Sequence, residues 1–262
     1  MHPPVDTDDL DVALERAADS VRRSRRMAVL TGAGVSAESG LATFRGAGGL
    51  WEGHPVEDVA TPFAFQRDPT LVWRFYNARR SNLRSVQPNP GHRALVALEE
   101  HFARQPGGTG GDNFTLITQN VDGLHQSAGS RHVLELHGSL RRVRCMACAY
   151  RAERDDQLPD LPRCACGELL RPDVVWFHET LPEDVWRQAA QATADCQCFL
   201  VVGTSAVVYP AAGLIDAARD AGAAVIEVNP EATTASRRGG LALRGPSGHI
   251  LPQLVKRISG SN

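Results

Sequence analysis

Four cysteines fall in two close pairs, Cys145-Met146-Ala147-Cys148 and Cys164-Ala165-Cys166. A glycine turn, Gly32-Ala33-Gly34-Val35-Ser36, follows the apolar run Met27 to Leu30, and a polar string, Thr118-Gln119-Asn120-Val121-Asp122-Gly123, follows Phe114 to Ile117. Each group has its own chemistry. Two thiolate pairs suit tetrahedral zinc in a site closed by four sulfurs, which assigns Cys145, Cys148, Cys164 and Cys166 to a structural metal with no open position for substrate. Gly32, Gly34 and Ala37 match Gly-x-Gly-x-x-Gly/Ala after a strand, where missing side chains let backbone amides approach a pyrophosphate. That favours a dinucleotide, although the turn alone is equally compatible with tight packing. A hydride-transfer site also expects an acid about 20 residues later at a second strand end. Glu52 and Glu57 follow instead in a Gly/Trp/Pro-containing segment, which disfavours an ordinary dehydrogenase. His137, between Leu136 and Gly138, has an unperturbed pKa near neutrality and is a candidate base, or else a structural histidine. Asn120 and Asp122 leave a strand end together and can hold a ligand, cap a helix or close a turn.

The elements that position these groups follow from hydrophobic patterning. Met27 to Leu30, Phe114 to Ile117, Phe199 to Val202 and Ala223 to Val228 are short apolar runs bounded by Gly, Asn or Thr, and read as buried parallel strands. Helical patterns lie between them at Gly91 to Phe102, Pro182 to Ala194 and Pro210 to Ala221, after an opening amphipathic helix from Asp8 to Arg26. This alternation predicts an α/β fold, a Rossmann-like doubly wound parallel sheet. The cysteine segment interrupts it and predicts a small inserted module. The expected boundaries are residues 1–46, 80–140 and 173–262 for the sheet domain, with residues 47–79 as the helical part and 141–172 as the zinc-binding part of the module. The glycine-rich stretch from Arg104 to Asp112 predicts a surface loop.

Composition narrows the function classes. At 262 residues and 42% hydrophobic content the chain can bury a large core, and its formal charge of -2 gives no global attraction to nucleic acid or an anionic membrane. No stretch approaches the roughly 20 apolar residues of a membrane helix. Met1 to Leu10 is acidic and lacks the apolar core of a signal peptide, so a cytoplasmic location is expected. Paired cysteines fit metal binding in a reducing compartment, and Cys196 and Cys198, at the start of an apolar strand, read as structural residues.

The separated motifs together resemble the sirtuin family. The resemblance runs through Gly32-Ala33-Gly34-Val35-Ser36-Ala37-Glu38-Ser39-Gly40, Thr43-Phe44-Arg45-Gly46, Thr118 to His125, Leu136-His137-Gly138-Ser139, Gly203-Thr204-Ser205 and Val228-Asn229-Pro230-Glu231. It implies NAD as co-substrate, one structural zinc, acylated lysines of proteins or peptides as substrates, and nicotinamide and O-acyl-ADP-ribose as products. It further implies His137, Asn120 and Asp122 as the catalytic set. Gly32, Ala33, Gly34, Ser36, Phe44, Arg45, Gln119, Asn120, Asp122, Gly203, Thr204, Ser205, Asn229, Glu231 and Ser247 become the cofactor-binding residues.

A finer resemblance concerns the acyl group. Tyr76 and Arg79, one helical turn apart, resemble the Tyr-x-x-Arg pair of the class III branch, which removes succinyl, malonyl and glutaryl groups. A guanidinium can take a terminal carboxylate bidentately while a phenol donates a third hydrogen bond, and an acetyl group offers neither partner. Tyr76, Arg79, Val175 and Phe177 are therefore the expected substrate-binding residues, with desuccinylation or demalonylation favoured over deacetylation. General deacetylation and ADP-ribosyl transfer to protein are the alternatives. Two positions depart from the family pattern: Ala42 stands where proline or another loop-shaping residue is usual, and His178 replaces a usual glycine beside the substrate peptide.

Overall fold

Runs rich in Val, Ile and Leu form strands buried on both faces, which is why they carry no alternating polar pattern. In the computed structural model, which describes residues 7–41, 50–51, 53–105, 113–154 and 156–260, the chain opens with α1 (Thr7–Arg23), β1 (Met27–Thr31) and the one-turn α2 (Gly34–Ala37). Next come β2 (Leu50–Trp51), β3 (His54–Pro55), α3 (Val56–Val59), α4 (Pro62–Arg67), α5 (Pro69–Leu83) and α6 (Pro90–Ala103). Then follow β4 (Phe114–Thr118), α7 (Leu124–Ala128), β5 (Val133–Glu135), β6 (Gly138–Cys145), β7 (Arg151–Glu153), β8 (Leu170–Val174) and α8 (Glu183–Asp195). The chain ends with β9 (Cys198–Val202), α9 (Gly213–Asp220), β10 (Ala224–Asn229), α10 (Thr234–Arg237), β11 (Leu241–Arg244) and α11 (Ser247–Ile258).

The expected parallel sheet is present, with strand order β11-β10-β9-β1-β4-β5 and every pairing parallel. Alternate residues of each strand face opposite cores. Met27, Val29, Leu116, Leu200 and Val228 pack with Leu14, Leu98 and Leu254 of α1, α6 and α11. Ala28, Leu30, Ile117, Phe199 and Val201 pack with Ala189, Leu214 and Ile215 of α8 and α9. The short edge strands β5 and β11 were not foreseen, because neither carries a run buried throughout. Helix α1 stops before Arg26 because Gln197 captures the next backbone groups: its Oε1 accepts from Arg25 N at 2.6 Å and its N donates to Arg26 O at 3.0 Å. Helix α9 begins after Ala212, where a turn closed by Gly213 N on Pro210 O (2.9 Å) precedes it.

A third core lies outside the parallel sheet. Trp73, Phe75 and Tyr76 of α5 pack with Leu140, Val143, Leu170 and Val174 on the antiparallel sheet β7-β6-β8 and with Trp176 just beyond β8. Helices α4, α5 and α6 start at Thr61-Pro62, Asp68-Pro69 and Asn89-Pro90, each a capping side chain followed by a proline whose missing N–H costs nothing in the first turn. Two side-chain bonds tie α5 to this sheet, from Trp73 Nε1 to Leu170 O at 2.9 Å and from Arg80 Nη1 to Leu140 O at 2.5 Å. No helix of the described residues is long and apolar enough to cross a membrane.

Candidate functional site

Strand β1 has β4 on one side and β9 on the other, so the chain order reverses there, and ligands of open α/β sheets bind outside the carboxyl ends of strands at such a point. The segments leaving β1, β4, β9 and β10 carry Gly32 to Ser36, Gln119 to Asp122, Gly203 to Ser205 and Asn229 to Glu231, so the sheet brings these predicted residues to one edge. Gly34 N donates to Gly203 O at 2.8 Å, and a Cβ on Gly34 would lie 2.6 Å from that oxygen. The absent side chain thus lets two loops pack backbone to backbone. Thr204 links the neighbouring segments: its Oγ1 accepts from Gln119 Nε2 at 3.0 Å and its O from Asn229 Nδ2 at 3.1 Å. Ser205 is half-buried and Glu231 is exposed, its carbonyl accepting from Arg244. Phe44, Arg45 and Ala42, and most of the predicted loop from Arg104 to Asp112, lie outside the described residues.

Beneath these loops is a buried polar network. Ser36 Oγ donates to Asp122 Oδ2 at 2.8 Å and accepts from Asn120 Nδ2 at 3.2 Å, and Asn120 Nδ2 also donates to Gly32 O at 3.1 Å. Because the Gly32 carbonyl can only accept, the amide orientation of Asn120 is decided, and its Oδ1 is left as an acceptor. Asp122 Oδ1 takes the Leu124 amide at 2.9 Å. Burial pushes the Asp122 carboxyl above its ordinary range, against the opposing hydrogen bonds from Leu124 and Ser36. Asp122 therefore both holds the first amide of α7 and anchors Ser36.

Two further histidines support this network. Asn89 N donates to His92 Nδ1 at 3.3 Å, so the ring proton sits on Nε2, 3.5 Å from Ser36 Oγ. Thr31 Oγ1 donates to Thr118 Oγ1 at 2.8 Å and so accepts from His125 Nε2 at 3.0 Å. Burial lowers both imidazoles, His92 to about 4 and His125 to about 3, and holds them neutral.

His137 is the candidate base, and its tautomer follows from one contact. The Gln119 carbonyl accepts from Nδ1 at 3.0 Å, which leaves Nε2 with its lone pair. Burial lowers the His137 pKa, against the opposing hydrogen bond to Gln119, so the ring is unprotonated at neutral pH. The next residue must be glycine. Gly138 has φ 77, and a Cβ there would sit 2.0 Å from Asp173 O, because β6 and β8 begin their pairing at this point.

On the other side of His137, the chain after β8 runs close by: Val175 N donates to His137 O at 2.9 Å and Phe177 N to Ala60 O at 3.0 Å. Phe177, Phe63, Val207 and Tyr209 are exposed large apolar residues, and the Phe63 and His178 rings meet edge to face at 6.4 Å. His178 adopts φ 69, the left-handed region that favours glycine. Tyr76 is fully buried and its hydroxyl accepts from Trp176 Nε1 at 2.9 Å. Arg79 is half-buried, with its Cζ 5.6 Å from the Phe75 ring centre, and its charge lowers the pKa of both Tyr76 and Asp122 against the larger effect of burial.

The four predicted metal ligands converge at the end of β6. The Sγ atoms of Cys145, Cys148, Cys164 and Cys166 all lie within 4.8 Å of one another, with Cys145 to Cys166 at 3.5 Å and Cys148 to Cys164 at 3.7 Å. Tetrahedral zinc with Zn–S bonds of about 2.3 Å requires sulfurs about 3.8 Å apart, so the cluster fits. The Ala147 and Cys148 amides point at Cys145 Sγ and lower its thiol to about 6, favouring the thiolate a metal needs. Cys196 and Cys198 lie elsewhere, buried, their thiols pushed up to about 11 and about 12.

Residues 32–210 match the family model described as the Sir2 family. The chain belongs to the Sir2 family. NAD-dependent protein deacylase 2 of Pyrobaculum aerophilum is 48% identical to it over 243 residues, covering 92% of this chain and 94% of that protein. A Sir2 homologue solved as its NAD complex superposes with TM-score 0.84 at 42% identity, covering 94% of each chain. A Sir2 protein bound to a myristoylated histone peptide superposes with TM-score 0.75 at 34% identity, covering 95% of this chain and 98% of that one.

Within this Sir2 fold, three polar groups at the site escaped the sequence reading. His92 was available as the third residue after a Pro-preceded Asn89 cap, but its approach to Ser36 depends on α6 packing under α2. Glu38 caps the start of α11, accepting from Gly248 N at 2.6 Å and from Ser247 Oγ at 3.2 Å, so predicted Ser247 meets the first loop through a carboxylate. Trp176 lay unremarked between the named Val175 and Phe177.

Proposed function

We propose that this chain removes acidic acyl groups, succinyl and malonyl, from protein lysines in preference to acetyl. The broader activity is that of an NAD-dependent protein deacylase, acting on acyl-lysine with NAD as co-substrate and one structural zinc. Bound NAD supplies a glycosidic bond whose cleavage activates ribose C1′ for attack by the acyl oxygen.

The roles of the chain's own residues follow from their hydrogen bonds. Asn120, with its amide hydrogens on Gly32 and Ser36, offers Oδ1 to a ligand donor, and Asp122 holds Ser36 in place. His137 offers a bare Nε2, and a neutral imidazole there can take a proton from a ribose hydroxyl. The loops carrying Gly32, Ala33, Gly34, Gln119, Gly203, Thr204, Ser205, Asn229 and Glu231 line the sheet edge that takes the dinucleotide, with Ser247 joined through Glu38. Phe177 and His178, and the exposed Val207 to Tyr209, offer apolar surface suited to a peptide. The four cysteines hold β6, and through it the backbone of His137, in register with β8.

The acyl preference is supported by one arrangement, the placement of Tyr76 and Arg79 one turn apart on α5, with Tyr76 fully buried and the Arg79 guanidinium beside the Phe75 ring at 5.6 Å. An acyl chain entering toward Asp122 meets a guanidinium, which binds a terminal carboxylate and gives an acetyl methyl no partner. The test is NAD-dependent turnover of one peptide carrying acetyl-, succinyl- or malonyl-lysine, read by mass spectrometry, for the wild type and Arg79→Met. Succinyl and malonyl turnover exceeds acetyl turnover and falls at least roughly tenfold in the variant, the loss of a charge-assisted pair. Acetyl turnover that dominates in both proteins rejects the preference.

A further inference from the structure

Tyr76 is the only hydroxyl among the proposed acyl-binding residues, and it is buried away from water. Burial pushes its phenol up to about 12, so it keeps its proton at all working pH values. A phenol oxygen both donates and accepts. Here the accepting role is taken by Trp176 Nε1 at 2.9 Å, and this is the only hydrogen bond to Tyr76 among the described residues. What remains is the donor, and a donor in an enclosed site discriminates by finding or lacking an acceptor.

The indole is itself held from several directions. The Arg171 Cζ lies 3.3 Å from the Trp176 ring centre on one side, and the Phe65 ring is 5.3 Å away. Arg171, 3% exposed, grips Glu179 with Nη1 at 2.6 Å and Nη2 at 2.9 Å, and Glu179 Oε2 accepts from the Trp176 backbone N at 2.8 Å. The ring and the backbone of Trp176 are thus fixed by one ion pair. Among the described residues the hydrogen bond made by the indole N–H is the one to Tyr76.

We propose that Trp176 is a positioning residue for acyl selectivity: by occupying the accepting side of the Tyr76 hydroxyl, it commits the hydroxyl proton to the terminal carboxylate of an acidic acyl group. This inference rests on the acidic-acyl reading of Tyr76 and Arg79. It adds that selectivity belongs to a relay, Arg171–Glu179 to Trp176 to Tyr76, of which only the last residue meets substrate. Without the indole N–H the hydroxyl can turn to accept, and its preference for a carboxylate weakens.

The experiment compares KM and kcat for succinyl-lysine and acetyl-lysine forms of one peptide in the wild type, Trp176→Phe, Tyr76→Phe and the double variant. Trp176→Phe keeps an aromatic ring against Arg171 and Phe65 and removes the N–H. The succinyl-to-acetyl ratio of kcat/KM falls roughly threefold to tenfold, the range of one neutral hydrogen bond, and the change lies in the KM for the succinyl peptide. In the Tyr76→Phe background the same substitution leaves the ratio where it was. If Trp176→Phe lowers turnover of both peptides equally, leaves the ratio unchanged, or adds fully to Tyr76→Phe, the inference is overturned. If the smaller ring prevents folding, benzothienylalanine at position 176, with sulfur in place of the N–H in a bicycle of nearly equal shape, gives the same comparison. A wild type with no succinyl preference overturns the acidic-acyl reading itself. A wild type that prefers succinyl and responds to Tyr76→Phe but not to Trp176→Phe overturns this inference alone.

Discussion

The Nδ1–H of His137 donates to the carbonyl of Gln119 at 3.0 Å, and that single bond determines which nitrogen of the ring can act as a base. The carbonyl belongs to the segment leaving β4, which also carries Asn120 and Asp122, so the proposed base is oriented by the same backbone that positions the polar network.

His137→Ala lowers kcat by about 10² to 10⁴, the usual contribution of a positioned base. The wild-type pH profile carries its sign. Burial lowers the folded His137 pKa from 6.5, so the base stays unprotonated above that value and kcat/KM declines as pH falls through a pKa below 6.5. An acid limb centred above 6.5 in a kcat/KM profile contradicts this environment.

Acid should unfold the protein through His92 and His125. Burial depresses their folded pKa values to about 4 and about 3, from an ordinary 6.5, so their contribution to stability is complete above pH 6.5 and is lost as pH falls toward those values. Each contributes a slope of roughly 1.4 kcal/mol per pH unit across that window, out of a typical total of about 5–15 kcal/mol. Urea midpoints measured from pH 7 to pH 4 should fall steeply. His125→Gln, which keeps a donor toward Thr31, should flatten the slope by one proton.

Removing zinc should uncouple β6 from β8. A strong chelator lowers the melting temperature and abolishes turnover, because His137 immediately precedes β6 and Val175 immediately follows β8. Cys148→Ser should show the same loss without chelator. Added zinc restores the chelated wild type and fails to restore the variant. A melting temperature that ignores the chelator argues against a structural metal.

His178→Gly should stabilise the fold. A left-handed conformation costs a non-glycine residue about 1–2 kcal/mol, while glycine loses about 0.5–1 kcal/mol more chain entropy, leaving a gain of about 0.5–1 kcal/mol. Denaturant midpoints read this directly. The peptide KM should shift in the same variant, because the His178 ring beside Phe63 is removed from the exposed wall, whereas kcat should hold if His137 is the base, as proposed.

Chain-local chemistry made much of this protein legible. Val, Ile and Leu runs buried on two faces read as parallel strands, two cysteine pairs read as a metal cluster, and Gly32 to Ser36 with Asn120 to Asp122 read as strand-end loops, because each depends on a few consecutive residues. The edge strands β5 and β11 were illegible because they borrow their hydrogen bonds from neighbours already in place and carry little apolar signal of their own.

What only the tertiary structure decided are the relations across the chain. The proton position on His137 comes from a carbonyl in the segment leaving β4, and the need for glycine at 138 from the Asp173 oxygen opposite it. The neutrality of His92 and His125 comes from burial by helices distant in sequence, and the direction of the Tyr76 hydroxyl from an indole a hundred residues away. Residue types declare what a side chain can do, and local spacing declares its element. Hydrogen-bond direction and desolvation depend on which groups fold against it, and these set its protonation and partner.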